Sequence, residues 1–209
     1  HFLNVFIGYP ETSWAPDAGA RAQQVDDLLK DKFGATIQTS VTDKQMARVE
    51  RAQFQGARTL YNQQQFQNAV QSYLDVLNLF PESESSITAL GELSRCFIEL
   101  KEPVSTATVV NYLAERFSQQ SEERSREAGD QLLRTAAMYA ERNIIERRDR
   151  IYELYFDHFP EHPMAPAMLF RQGEQKYSNG DYAGALDYYE RIAENYPDAN
   201  VYQGALNKI

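Results

Sequence analysis

The chain has 209 residues, of which 43% are hydrophobic, with 30 acidic against 21 basic side chains and a formal net charge of −9. That hydrophobic content excludes a wholly disordered polymer and suffices for one or two compact domains or a short solenoid. The negative balance repels phosphate backbones and anionic lipid, so nucleic acid is not expected as a partner.

No apolar run reaches the roughly 18 residues that a membrane-spanning helix needs, so no span is expected. Cys96 is the single cysteine, which excludes an intramolecular disulfide, and its apolar-periodic surroundings read as core packing rather than a nucleophile.

In chain order, His1 to Gly8 is the most hydrophobic short stretch. It fits the residue of a removed signal or anchor, an edge segment packed on the first helices, or an arbitrary boundary. Asp17 to Phe33 predicts one amphipathic helix, with Ala22, Val25, Leu28, Leu29 and Phe33 on one face and Gly34 as its C-terminal cap. Residues 1–42 are thus expected to form an N-terminal segment with a helix that covers the open face of the first repeat. Thr42 to Gln45 fits a capping box opening the next helix.

Residues 43–81 predict a helix hairpin. Phe54, Ala57, Leu60 and Tyr61 recur at three- and four-residue spacing, Asn62 to Gln65 breaks the pattern, and Phe66, Ala69, Val70, Tyr73, Val76, Leu77 and Phe80 resume it until Pro81. Three further hairpins are expected over about 82–119, 120–160 and 161–199. Pro103 suits the first turn of a helix, and serines 83, 85 and 86 suit helix capping. In the third hairpin Arg148 stands where its counterparts carry Ala69 and Ala185, which implies an altered helix contact. The basic knot Arg147-Arg148-Asp149-Arg150 reads as a solvated helix face with i,i+4 pairing. In the fourth, Asn179-Gly180-Asp181 forms the turn. Residues 200–209 begin a further helix.

Three helical runs end in an aromatic–proline step, at Phe80-Pro81, Phe159-Pro160 and Tyr196-Pro197. A shift of 116 positions carries Ala57 to Gly173, Tyr61 to Tyr177, Phe66 to Tyr182, Ala69 to Ala185, Tyr73 to Tyr189 and Pro81 to Pro197. Six matches of size and type at one offset define an internal repeat.

From about residue 43 onward the chain resembles the tetratricopeptide repeat family. The style Tyr-Asn-x-Gln-x-Phe-x-x-Ala-Val-x-x-Tyr before Phe-Pro is similar to bacterial envelope members of the outer-membrane assembly lipoprotein and Tol-Pal coordinator types. The resemblance implies an all-α, right-handed solenoid of about four hairpins whose concave face, lined by the first helix of each pair, binds partner segments. Transferring that geometry marks Phe54, Arg58, Tyr61 and Asn62 in the first hairpin and Phe170, Glu174, Tyr177 and Ser178 in the last. Phe54 and Phe170 fit equally the space between adjacent helices. The chaperone-tail clamp uses lysine and asparagine where this chain has Phe54, Arg58, Thr88 and Glu92, so an apolar or amphipathic segment is the expected partner.

No reactive constellation emerges. His158 and His162 are four apart, but Pro160 and Pro163 interrupt the helix that would align them on a metal, and no glycine-rich phosphate loop precedes a helix. No enzyme activity, cofactor or metal is expected. The reading is a scaffold that holds a protein or peptide, with a structural subunit of a homo-oligomer or larger complex as the alternative. The envelope style points to the periplasm or cell envelope, while a free Cys96 suits the cytoplasm equally.

Overall fold

The computed structural model describes residues 1–35 and 42–209, and its described residues form eleven helices. These are α1 (Phe2–Gly8), α2 (Ala15–Phe33), α3 (Asp43–Asn62), α4 (Phe66–Leu79), α5 (Ser86–Glu99) and α6 (Pro103–Phe117). They continue as α7 (Glu122–Glu141), α8 (Ile145–His158), α9 (Ala165–Ser178), α10 (Tyr182–Asn195) and α11 (Tyr202–Leu206). Contacts divide the chain into two compact units, residues 1–154 and 155–209, and the division falls within the α8 residues.

In the first unit α3 packs on α4, α4 on α5, α5 on α6, and α5 again on α7, so successive helix pairs are stacked. The core between α3, α4 and α5 consists of Ala57, Ala69, Val70, Tyr73, Ala89, Leu93 and Cys96. Ala57 and Ala69 have no exposed surface, as the close approach of α3 and α4 requires. The α5–α7 contact is instead polar. Ser94 and Thr135 share a hydrogen bond of 2.9 Å, and Arg95 donates to Gln131 at 3.1 Å. A Cβ on Gly91 would strike the Gln131 side chain, so glycine there gives that side chain room to lie against α5.

Each of the four hairpins reverses through one residue with positive φ: Gln64, Lys101, Asn143 and Gly180. The following hydrogen bonds are the same each time. Gln64 and Gln65 donate to the carbonyls of Tyr61 and Leu60, as Lys101 and Glu102 do to Ile98 and Phe97. Asn143 and Ile144 donate to Ala140 and Tyr139, as Gly180 and Asp181 do to Tyr177 and Lys176. Gly180 and, less strongly, Asn143 announce the left-handed conformation by their residue type, and Gln64 and Lys101 do not.

The exits at aromatic–proline steps are equally uniform, while α6 ends instead on Ser118 at φ −62, ψ −29. The aromatic residue capping α1, α4 and α10 takes nearly one conformation: Tyr9 at φ −133, ψ 55, Phe80 at −135, 58 and Tyr196 at −134, 57. The proline that follows excludes helical ψ at its predecessor and supplies no donor, so the helix stops at the aromatic residue. Two linked turns then lead into the next helix, Thr12 to Tyr9 and Ala15 to Thr12 in one copy, His162 to Phe159 and Ala165 to His162 in another. Ala15, Ser86 and Ala165, which open the next helices, are fully buried. Tyr9-Pro10 is therefore a fourth aromatic–proline junction, and α1 ends as the second helix of a repeat does.

Thr42 and Gln45 form the expected capping box, and Gly34 takes the left-handed cap at φ 59. The side of α2 that is buried is small, Ala15, Ala18, Gly19 and Ala22, with the Phe6 ring lying where a Cβ on Gly19 would be. The stripe expected to cover the first repeat is mostly exposed, Leu28 by 55% and Phe33 by 75%. The serines do not cap α5 through their side chains: Ser85 bonds Glu50, and Ser86 Oγ donates to the Ser83 carbonyl at 2.8 Å.

In the second unit α9 packs on α10 and α10 on α11. Tyr155 is fully buried, stacks on Phe159 and shares a 2.8 Å hydrogen bond with His162 Nδ1. Asp181 caps α10 by accepting from the Gly184 amide at 3.0 Å. The Tyr196 hydroxyl donates to the Pro160 carbonyl at 2.9 Å, tying the two junctions together.

Two outcomes follow from this packing. Lys101→Gly relieves a left-handed residue and should raise stability by about 0.5–1 kcal/mol, whereas Gly180→Ala should lower it by about 1 kcal/mol, both read by urea unfolding. Burial pushes the Cys96 thiol up to about 12. At pH 8 it should hold on the order of a thousandfold less thiolate than an exposed cysteine, so iodoacetamide should label it only as fast as the chain opens.

Candidate partner-binding surface

The first helices α3 and α9 carry the residues that the sequence marks, and each set lies within one unit. On α3, Phe54 is half-buried, edge-on to Tyr73 at 6.2 Å, and Arg58 lies over its ring at 5.7 Å. Tyr61 is half-buried and meets Phe66 edge-on at 5.6 Å, while Asn62 is exposed at the end of α3. Burial raises the Tyr61 phenol above its ordinary value.

On α9, Phe170 is half-buried beside Tyr189 at 5.7 Å and abuts Gly204 of α11. Tyr177 meets Tyr182 edge-on at 5.1 Å and is 47% exposed. Ser178 is exposed, and its hydroxyl donates back to the Glu174 carbonyl at 2.8 Å. Phe54 and Phe170 are thus spent largely on packing, whereas Arg58, Asn62, Tyr177 and Ser178 face solvent.

What joins these residues is a polar lock centred on a tyrosine of the second helix. Tyr73, fully buried, donates to Glu92 Oε2 at 2.6 Å, and Glu92 Oε1 receives Arg58 at 3.1 Å. Burial first, then this hydrogen bond, raise the Tyr73 phenol, so it acts as a permanent donor. In the second unit Tyr189 donates to Glu174 at 2.5 Å, and Glu174 pairs with Lys208 at 3.0 Å. The repeat offset of 116 places Glu174 opposite Arg58 and Lys208 opposite Glu92. The ion pair is preserved with its polarity reversed, and the tyrosine follows the carboxylate from the neighbouring helix to its own repeat.

A neighbouring small residue explains why Tyr189 can do this. Its ring lies where a Cβ on Gly173 would be, at 2.7 Å, and the corresponding position of the first repeat is Ala57. The missing methyl lets the phenol lie along α9 and reach Glu174. Its hydrogen bond and Lys208 hold the Glu174 carboxyl below its ordinary value. The ammonium of Lys208 also sits over the Tyr177 ring at 4.6 Å, so a cation, a carboxylate and an exposed aromatic face meet at one place.

The remaining candidates serve structure. Arg148 is buried rather than solvated, with its guanidinium on Asp149 and over the Tyr152 ring at 5.6 Å. The Met164 amide donates to His162 Nδ1 at 3.2 Å, the same nitrogen that is hydrogen-bonded to the Tyr155 hydroxyl. Among the described residues no group of three or more His, Cys, Asp or Glu could hold a metal ion, and no helix is long and apolar enough to cross a membrane.

Glu92→Ala strands a buried phenol and should cost about 1–3 kcal/mol in urea unfolding. Glu174→Ala, at a half-exposed site where water replaces the lost acceptor, should cost less than about 1 kcal/mol.

Comparison with known proteins bears on these same hairpins. Residues 51–83 and 167–199 match the tetratricopeptide repeat family, and each range holds two members of a lock, Arg58 with Tyr73 and Glu174 with Tyr189, while Glu92 and Lys208 lie beyond them. No curated protein sequence matches the chain significantly. With its described residues all helical or in turns and loops, the chain has the all-α fold of a tetratricopeptide-like solenoid, in which two hairpins carry the family's recognisable repeat.

Proposed function

We propose that the chain is a non-catalytic scaffold that holds a peptide or helix of a partner protein against the first helices of its hairpins, within a bacterial envelope assembly. Repeats of this kind stack into extended surfaces used for protein–protein contact. The observation that carries the reading is Tyr177, nearly half exposed, with the Lys208 ammonium on its face and Glu174 beside it. A rigid aromatic ring with a polar tip buries a large area on a partner while losing little side-chain freedom. Arg58 and Asn62 offer a comparable exposed polar edge on α3 beside Tyr61. The envelope setting is supported by the style of the repeat, and the reading frame upstream of His1 tests it: an export signal supports it, a long cytoplasmic domain removes it.

A photo-cross-linking residue placed at Tyr177 or Arg58 should join the chain to its partner in cells, whereas one at the exposed Leu74 on α4 should not. Adducts formed only at Leu74 would dismiss the first-helix surface.

The second reading, a subunit that packs on copies of itself, draws on the exposed apolar side of α2, where Val25, Leu28 and Phe33 face solvent. Light scattering across a hundredfold range of concentration discriminates, since a constant monomer mass removes it.

A further inference from the structure

A separate cleft of about 490 Å³ lies in the first unit along second helices, between α6 and α8. Val104, Ala107 and Asn111 of α6 form one wall, and Arg147, Arg150 and Leu154 of α8 the other. Buried Val110 and Ile151 close its floor. The volume lies within the range of sites that bind small ligands or a few side chains.

Two features set this cleft apart from ordinary surface. Val104 is 78% exposed, so a branched apolar side chain stands at the rim without cover. Every charged residue lining the cleft is an arginine, in a chain whose net charge is −9. Of the basic knot, Arg148 turns inward to Asp149 and Tyr152, leaving Arg147 and Arg150 along the cleft. Arg150 pairs with Glu146 at 2.6 Å, but both side chains are more than three-quarters exposed, and such a pair is worth little and readily exchanged. Arg147 has no ion-pair partner among the described residues.

We propose that this cleft is a second docking site, distinct from the first-helix surface, for an acidic amphipathic helix of a partner protein. Apolar side chains of that helix rest on Val104, Ala107 and Leu154, and its carboxylates meet Arg147 and Arg150. Charge complementarity selects the partner, since the rest of this acidic chain repels it. Helix-in-groove recognition of this kind reads anchors at three- and four-residue spacing.

The test uses the full chain and two fluorescein-labelled 16-residue helical peptides, with leucine on one face and either glutamate or lysine elsewhere. By fluorescence anisotropy the glutamate peptide should bind about tenfold or more tightly than the lysine peptide, and the difference should shrink in 0.5 M salt. Arg147→Glu with Arg150→Glu should invert the preference, and Val104→Asn, which removes apolar contact without adding charge, should weaken both peptides. All three positions are exposed, and circular dichroism confirms that the variants fold. Equal binding of the two peptides, no binding, or binding indifferent to these substitutions overturns the proposal.

Two further results would also overturn it. Wild-type self-association lost in the double arginine variant would make the occupant a second copy. A single-stranded oligonucleotide that binds more tightly than the glutamate peptide, and releases in the variant, would make it nucleic acid. Neither substitution touches Tyr177 or Arg58, so failure here leaves the first-helix reading standing.

Discussion

A phenol buried between helices must find an acceptor, and much of the first and last hairpins is arranged around that requirement. Tyr73 and Tyr189 supply large apolar surface to their cores while carrying a hydroxyl that needs an acceptor; left alone, the Tyr73 hydroxyl costs about 1–3 kcal/mol, while water reaches the half-exposed Glu174 site. A carboxylate satisfies it, and the carboxylate then needs a cation. The result is a three-residue lock, Tyr73–Glu92–Arg58 in one unit and Tyr189–Glu174–Lys208 in the other. What is kept between repeats is the pairing of charges, while the sign at each position is free. In the first unit the lock joins α3, α4 and α5, and in the second it joins α9, α10 and the chain just beyond α11. Each therefore ties a hairpin to the helical element that follows it.

The backbone makes this placement reproducible. A left-handed residue at each hairpin turn, and an aromatic–proline step at the exits of α1, α4, α8 and α10, hold the two helices of a pair at fixed lengths and directions. With the frame set locally, side chains can vary: Ala57 gives way to Gly173, the acid moves across the pair, and the α5–α7 contact becomes polar. The same freedom leaves surface positions open to function. Lys208 completes a lock and also polarises the exposed face of Tyr177.

Much of this was legible in residue types. Small residues at Ala57, Ala69 and Ala185, the aromatic positions and the prolines mark four hairpins because each is demanded by helix contact or helix termination. Other elements were harder to read. Tyr9-Pro10 carries the junction signal, and Ala15-Pro16 repeats Ala165-Pro166 at a shift of 150, but one helix without its hairpin partner gives periodicity little to work on. Gln64 and Lys101 adopt a left-handed conformation that their side chains do not announce. The reversed polarity of Arg58–Glu92 and Glu174–Lys208 hides the lock from any comparison that matches like with like. Phe54 and Phe170 suited groove and core equally in sequence, and only their contacts with Tyr73 and Tyr189 show how much of each ring is spent on packing. The Val25, Leu28 and Phe33 stripe has helical period, but period alone does not say that a face is covered.

Rebuilding the second lock inside the first hairpin tests most directly whether charge pairing around the phenol, rather than a particular residue at each position, holds the repeats. In an Ala57→Gly background, Glu92→Lys should lower the urea midpoint by removing the Tyr73 acceptor and setting the introduced ammonium against Arg58. Adding Arg58→Glu places an acid where Glu174 stands and a cation where Lys208 stands, and it should recover more than half of that loss, about 1 kcal/mol or more. Additive destabilisation, with the charge-swapped chain no more stable than Glu92→Lys alone, would contradict the account.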